Sequence, residues 1–200
     1  MIVVAVTGGF ASGKSLVTGI FKGLGAQAVD ADVEARKALA KGRPAYRAVV
    51  KIFGRAFLAK NGQIDRKKLG QHVFSHPKDL KKLNTLIHPG VIFACIQKIE
   101  RLKRCQGILV LDVPLLFESK MDRLADFTVV VTAGRAMRLR RAAEKGISAV
   151  LAEKISAAQW PLSKKSKLAD FVIENDGSIA DLRNQVGKVF RQILKNERPA

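Results

Sequence analysis

Short apolar runs recur along this chain, separated by longer stretches in which apolar residues return every three or four positions. The runs are Ile2 to Val6, Ala26 to Val29, Ile108 to Leu111, Phe127 to Val131 and Phe171 to Ile173. Each is rich in Val or Ile, as strands buried inside a parallel sheet are. Helical periodicity fills the gaps at Lys14 to Leu24, Val33 to Ala40, Tyr46 to Phe53, Pro77 to Leu86, Val91 to Lys103, Arg135 to Lys145, Ala149 to Trp160 and Ile179 to Leu194. Strand and helix signals in alternation predict an α/β fold, a parallel sheet with crossover helices. The stretch between the second and third strands is longer than a crossover needs. Residues 33–106 are therefore expected to form an inserted helical region that holds a second substrate, cut into pieces at Pro44, Gly54, Gly62 and Pro89. Asn196 to Ala200 are expected to fray.

Composition narrows the class. Two hundred residues suit one α/β domain with an insertion. Trp160 and Tyr46 are the only Trp and Tyr, so the core is aliphatic. No apolar stretch approaches a membrane span, and the start MIVVAVTGG reads as a strand with no basic region before it, so a cytoplasmic protein is expected. Cys95 and Cys105 lie outside any C-x-x-C pattern and are expected to be reduced thiols. The net charge of +19 attracts polyanions in general, whether nucleotides, coenzymes or nucleic acid. Its basic residues are scattered over several segments without aromatic interleaving or a zinc-finger or RNA-recognition signature, so nucleic acid is not expected as the main partner.

The strongest chemical signal is Gly8-Gly9-Phe10-Ala11-Ser12-Gly13-Lys14-Ser15, which satisfies G-x-x-x-x-G-K-[ST] between a strand and a helix. Backbone N–H groups of such a loop point inward at phosphate oxygens, and the positive end of the helix dipole reinforces the grip. Lys14 is expected to reach the β- and γ-phosphates of ATP, and the Ser15 hydroxyl to complete a Mg²⁺ shell. Asp112 ends an apolar strand, where a carboxylate holds that metal directly or through water. Asp30 and Asp32 close the second strand and open a helix. Asp30 reads as a helix cap, whereas Asp32 stands between a cap and a carboxylate that orients or deprotonates an attacking hydroxyl. Glu118, from spacing alone, reads as a surface charge. The basic helix Arg135 to Arg141 offers guanidinium groups to a transferring phosphoryl group, or else a solvated face.

Taken in order, Thr7 to Ser15, Leu24-Gly25-Ala26, Asp30-Ala31-Asp32, Phe53-Gly54, Asp65-Arg66, Leu83-Asn84, His88-Pro89, Asp112 to Glu118, Gln159 and Ala169 to Asn175 resemble the dephospho-coenzyme A kinase family along nearly the whole chain. The resemblance implies a P-loop NTPase-type three-layer sandwich around a five-stranded parallel sheet, with a helical CoA-binding insertion and a lid at residues 133–163. It implies transfer of the ATP γ-phosphate to the ribose 3′-hydroxyl of dephospho-CoA, with Mg²⁺. Gly9, Ala11, Ser12, Gly13, Lys14, Ser15, Leu16 and Asn175 match its ATP-binding positions, and Ser15 and Asp112 its metal side. Asp32, Arg66, His88, Pro114 and Leu115 match its acceptor side; Asp32, Lys14 and Arg140 match its catalytic residues. This chain departs from the family at Phe10-Ala11, at Leu16, and in the lid, where Lys145 stands near a second arginine position. The alternatives are another small-molecule or nucleotide kinase and a nucleotide-dependent protein that binds RNA.

Overall fold

The five apolar runs pair side by side in a computed structural model that describes residues 1–196; residues 197–200 of the stretch expected to fray lie outside the described residues. They form strands β1 (Ile2–Gly8), β2 (Gln27–Asp30), β3 (Ile108–Asp112), β4 (Phe127–Thr132) and β5 (Phe171–Glu174). All pairings are parallel, and the spatial order is β2-β3-β1-β4-β5. The five-stranded parallel sheet expected from sequence is therefore observed. Its central strand β1 sits between β3 and β4, with Val6 opposite Asp112 on one side and Val129 on the other. That register brings the start of the phosphate loop beside the carboxylate that ends β3.

Side chains alternate across the sheet. On one face, Val4, Val6, Val110, Val129, Val131 and Ile173 pack with Val17 and Phe21 of helix α1 (Lys14–Gly23) and with α9 (Ile179–Leu194). Leu182, Val186, Val189 and Ile193 recur along α9 at helical spacing, giving it one apolar stripe to lay on the sheet. Ser178 starts α9 with a capping box, its hydroxyl accepting from Asp181 N–H while the Asp181 carboxylate accepts from Ser178 N–H. Three more α-helices among the described residues follow β4: α6 (Arg135–Glu144), α7 (Ala149–Ala157) and α8 (Leu162–Leu168).

Met1–Asp30, together with the described residues from Ile96 onward, forms one compact unit, and Ala31–Cys95 forms another. The second unit holds α2 (Ala31–Ala38), α3 (Pro44–Phe53), α4 (Arg66–Ser75) and most of α5 (Pro77–Leu102). It has its own core of Val49, Ile64, Leu69, Val73 and Leu83, ringed by Leu39, Tyr46, Phe53 and Phe57. Tyr46 anchors it further by donating to the Gly62 carbonyl at 2.6 Å.

Two departures from the sequence reading stand out. Pro89 was expected to divide two helices, yet it lies inside the single helix α5. A mid-helix proline removes one N–H and crowds the preceding turn at a cost of about 3 kcal/mol. Apolar packing on both sides outweighs that cost: Leu83, Leu86 and Ile87 before it join the core, and Val91 and Cys95 after it are buried. Helices α4 and α8 gave no clear signal, because Arg66-Lys67-Lys68 and Lys164-Lys165 dilute their apolar periodicity.

Candidate active site

β1 delivers the chain into the glycine-rich loop and α1 takes it out again. Ser12 N–H donates to the Gly9 carbonyl at 3.1 Å, and Leu16 and Val17 N–H donate to the Gly13 carbonyl at 2.9 and 3.2 Å. Ala11 and Gly13 both have positive φ, 58° and 93°. Left-handed residues interleaved with right-handed ones turn successive N–H groups toward one concave side, here at the N-terminus of a helix. Gly13 is required twice over, since an added Cβ would also run into the Asn175 carboxamide. At Gly8 a Cβ would stand 2.5 Å from the Val131 carbonyl, so the loop lies flat against β4.

Lys14 forms an ion pair with Oδ1 of Asp112. Asp112 is 3% exposed, and its Oδ2 accepts from Thr18 Oγ1 at 2.9 Å. Thus α1 supplies both groups that hold the β3 carboxylate, one charged and one neutral. Ser15 and Leu16 lie on the exposed side of the first turn of α1. Asp30 pairs in register with Asp112 at the carboxyl end of the sheet, the edge at which open α/β sheets bind ligands.

Asn175 follows β5, is 4% exposed, and donates through Nδ2 to the Ser12 carbonyl at 2.8 Å. Arg141 of α6 donates to the same carbonyl at 3.2 Å and to the Asn175 carbonyl at 2.8 Å. Arg138, one turn earlier, donates to the Ala133 carbonyl at 3.1 Å, and its Nη1 lies 3.4 Å from where a Gly9 Cβ would stand. Arg140 lies on the exposed face and pairs with Glu144 at 3.2 Å. The sequence offers the whole basic run Arg135 to Arg141, and the resemblance points to Arg140; spacing alone did not separate out Arg138 and Arg141, the pair that meets the loop. The three-residue spacing of Arg138 and Arg141 marks one helical face, but nothing local says which face meets the loop.

The segment after β3 is tied down from two directions. The Pro114 carbonyl accepts from Thr7 Oγ1 at 3.1 Å and from Lys165 Nζ at 2.8 Å. Glu118 is not the surface charge that its spacing suggested. It pairs with the fully buried Lys165 at 2.9 Å and accepts from Trp160 N–H at 2.8 Å. Its partners sit in and just before α8, beyond the reach of any local pattern.

In the other unit, Asp32 is the second residue of α2 and exposed, and Arg66 is the first residue of α4 and exposed. Asp65 caps α4 by accepting from Lys68 N–H at 3.0 Å. His88 lies partly buried in α5, next to Pro89. His72 stacks on His76 with ring centroids 4.2 Å apart and meets Asp79 at 2.9 Å. Lys82, and after it His72, hold the Asp79 carboxyl below its ordinary value of 3.8.

Comparison with known proteins turns this geometry into a family. The chain matches the dephospho-CoA kinase family over residues 2–181. The dephospho-CoA kinase of Carboxydothermus hydrogenoformans is 45% identical to it over 193 residues, which cover 95% of this chain and 93% of that protein. That of Geobacillus kaustophilus is 40% identical over 193 residues, 96% of each. Among solved structures, dephospho-CoA kinase from Campylobacter jejuni superposes with a TM-score of 0.70 at 29% identity, covering 97% of this chain and 98% of that one. Likeness of this degree along nearly the full length leaves one assignment: the chain belongs to the dephospho-CoA kinases, the enzymes of the last step of coenzyme A biosynthesis.

Proposed function

We propose that this chain transfers the γ-phosphate of ATP to the ribose 3′-hydroxyl of dephospho-CoA, giving CoA and ADP. The observation that carries the reading is the convergence of Lys14 and Asp112 beside the glycine loop, in a chain of this family. Loop N–H groups between Gly9 and Ser15 hold the phosphates, apart from that of Ser12, which closes the loop on the Gly9 carbonyl; Ser12 and Leu16 shape the cradle around them. The Lys14 ammonium follows the β- and γ-oxygens, and Asn175 with Arg141 keeps the Ser12 carbonyl turned away from the anion. Asp112 and Ser15 are oxygen donors of the type that a hard cation takes, so they fit Mg²⁺. A bound Mg²⁺ supplies neutralising charge between the phosphates.

Asp32 orients or deprotonates the acceptor hydroxyl, with Arg66, His88, Pro114 and Leu115 on the acceptor side. Residues 133–163 serve as the lid. Arginines 138, 140 and 141 line it, excluding water and stabilising charge on the transferring group. Residues 33–106 form the acceptor-binding insertion of one kinase domain. No helix among the described residues is long and apolar enough to cross a membrane. The small-molecule substrates make a cytoplasmic enzyme the simplest setting.

The test is incubation of purified protein with Mg-ATP and dephospho-CoA, with mass detection of products. Equimolar CoA and ADP that both vanish without the acceptor support the reading. ADP released at the same rate with and without dephospho-CoA would overturn it.

A further inference from the structure

Lys165 is the one lysine among the described residues that is fully buried, and it bonds to two groups: the Pro114 carbonyl at 2.8 Å and the Glu118 carboxylate at 2.9 Å. Glu118 in turn accepts the Trp160 N–H, so this carboxylate and ammonium join the segment after β3 to the residues that open α8. Three residues before Lys165, the Leu162 methyl groups lie 3.6 Å from where a Gly9 Cβ would stand, against the phosphate loop. Thr7, the residue before that loop begins, donates to the same Pro114 carbonyl. Two hydrogen bonds, the first turn of α8 and the approach of the Leu162 methyl groups to Gly9 therefore link β1, Pro114, Lys165 and Leu162 in a ring.

Removing two ions from water is costly, and well-packed apolar residues would stabilise the same site as well or better. What a charge pair adds is direction, because each hydrogen bond fixes one donor on one acceptor. We propose that Glu118 and Lys165 are positioning residues that hold the Pro114–Leu115 segment and the Leu162 cover of the phosphate loop in one fixed relation. This deepens the kinase reading, on which it rests for the role of Pro114 and Leu115. With the pair intact, the acceptor-side segment and the nucleotide loop keep their spacing as α8 packs. Without it, Pro114 loses a donor, Trp160 loses its acceptor, and the start of α8 that carries Leu162 loses its side-chain ties to the segment after β3.

The variant that tests this is E118Q/K165M, which removes both charges together, keeps an acceptor for Trp160 N–H and fills the lysine volume, so neither ion is left buried and unpaired. Trp160 is the only tryptophan, 36% exposed, with Lys164 Nζ 3.6 Å from its ring centroid, so its emission reports on this segment alone. Three readouts are compared with the parent protein: kcat/KM for dephospho-CoA, ATP affinity by titration without acceptor, and acrylamide quenching of Trp160. Misplacement of a reacting group by about 1 Å costs on the order of 100-fold. The expected kcat/KM loss is accordingly about 10- to 100-fold, with ATP affinity held within about threefold. Quenching is expected to rise about twofold as the segment loosens.

A kcat/KM within about threefold of the parent, or a loss matched by an equal loss of ATP affinity, would overturn the proposal. If the parent itself does not phosphorylate dephospho-CoA, the kinase reading fails. Quenching then decides the positioning role alone: a rise supports it and an unchanged value overturns it.

Discussion

The carboxamide of Asn175 donates to the carbonyl of Ser12 at 2.8 Å, pinning the phosphate loop to the residue that follows β5. The bond is buried, and the Asn175 N–H is itself held by the Thr132 carbonyl. Arg141 bonds to both residues, so three side and main chains share one small space. Asn175→Ala removes the buried donor but leaves Arg141 on the Ser12 carbonyl. A loss of about 1–2 kcal/mol in stability is expected, together with weaker ATP binding, from denaturant melts and nucleotide titration. Unchanged melts would show that Arg141 alone holds the loop.

Gly13 meets the same carboxamide from the other side. Gly13→Ala places a Cβ into Asn175 and forces a side chain onto a backbone with φ 93°. The backbone term alone costs about 1–2 kcal/mol. ATP affinity is expected to collapse while circular dichroism keeps its α/β shape, because the clash is local to the loop.

Asp32→Asn separates the two readings of that carboxylate. As the group that orients or deprotonates the acceptor hydroxyl, it is worth about 10²- to 10⁴-fold in kcat, with ATP affinity little changed. The structure puts Asp32 inside the first turn of α2 and not at its cap, so a purely structural carboxylate there would act on the helix dipole: its loss would lower the melting temperature and leave kcat alone.

The start of α9 carries an acid-sensitive element. Hydrogen bonds from Ser178, side chain first, hold the exposed Asp181 carboxyl below its ordinary value of 3.8. A lowered folded-state value means stability that is present above the unfolded value and is lost as pH falls through the folded one. Ser178→Ala is therefore expected to lower the melting temperature near neutral pH, with the gap narrowing below pH 3.8. Melting curves at a series of pH values check this. A gap that stays constant into acid would mean that the cap acts without the charge on Asp181.

The two cysteines differ in reach. Cys95 is buried, and desolvation, followed by the nearby Glu34 charge, pushes its thiol up to about 11; Cys105 is exposed. Thiolate is the reactive form. Iodoacetamide at mildly alkaline pH is expected to modify Cys105 alone, with Cys95 labelled only in denaturant, as mass spectrometry of the peptides would show. Equal labelling in the native protein would contradict the burial.

Much of this protein is local and so could be read from the chain alone. Five short apolar runs bounded by turn residues became strands, whereas the equally apolar run Val91 to Ile96 lies inside α5, where helical spacing continues on either side. The phosphate loop was legible because its glycines, lysine and serine act within eight consecutive residues. The stripe of Leu182, Val186, Val189 and Ile193 gave α9 its full extent for the same reason.

Other features depended on partners far along the chain. Sequence spacing could not bury Glu118, because the lysine that neutralises it belongs to α8. Periodicity showed that α6 is basic but not that Arg138 and Arg141, rather than Arg140, face the loop; that was set by where β4 and Asn175 lie. Nor could it carry α5 through Pro89, where burial on both sides offsets a missing hydrogen bond. The sequence determined the elements and the loop chemistry, since both rest on neighbours a few residues apart. Tertiary structure decided which charges are buried, which arginines meet the loop and where a helix could continue, since each of those is a balance between a local cost and contacts that exist only once the chain has folded.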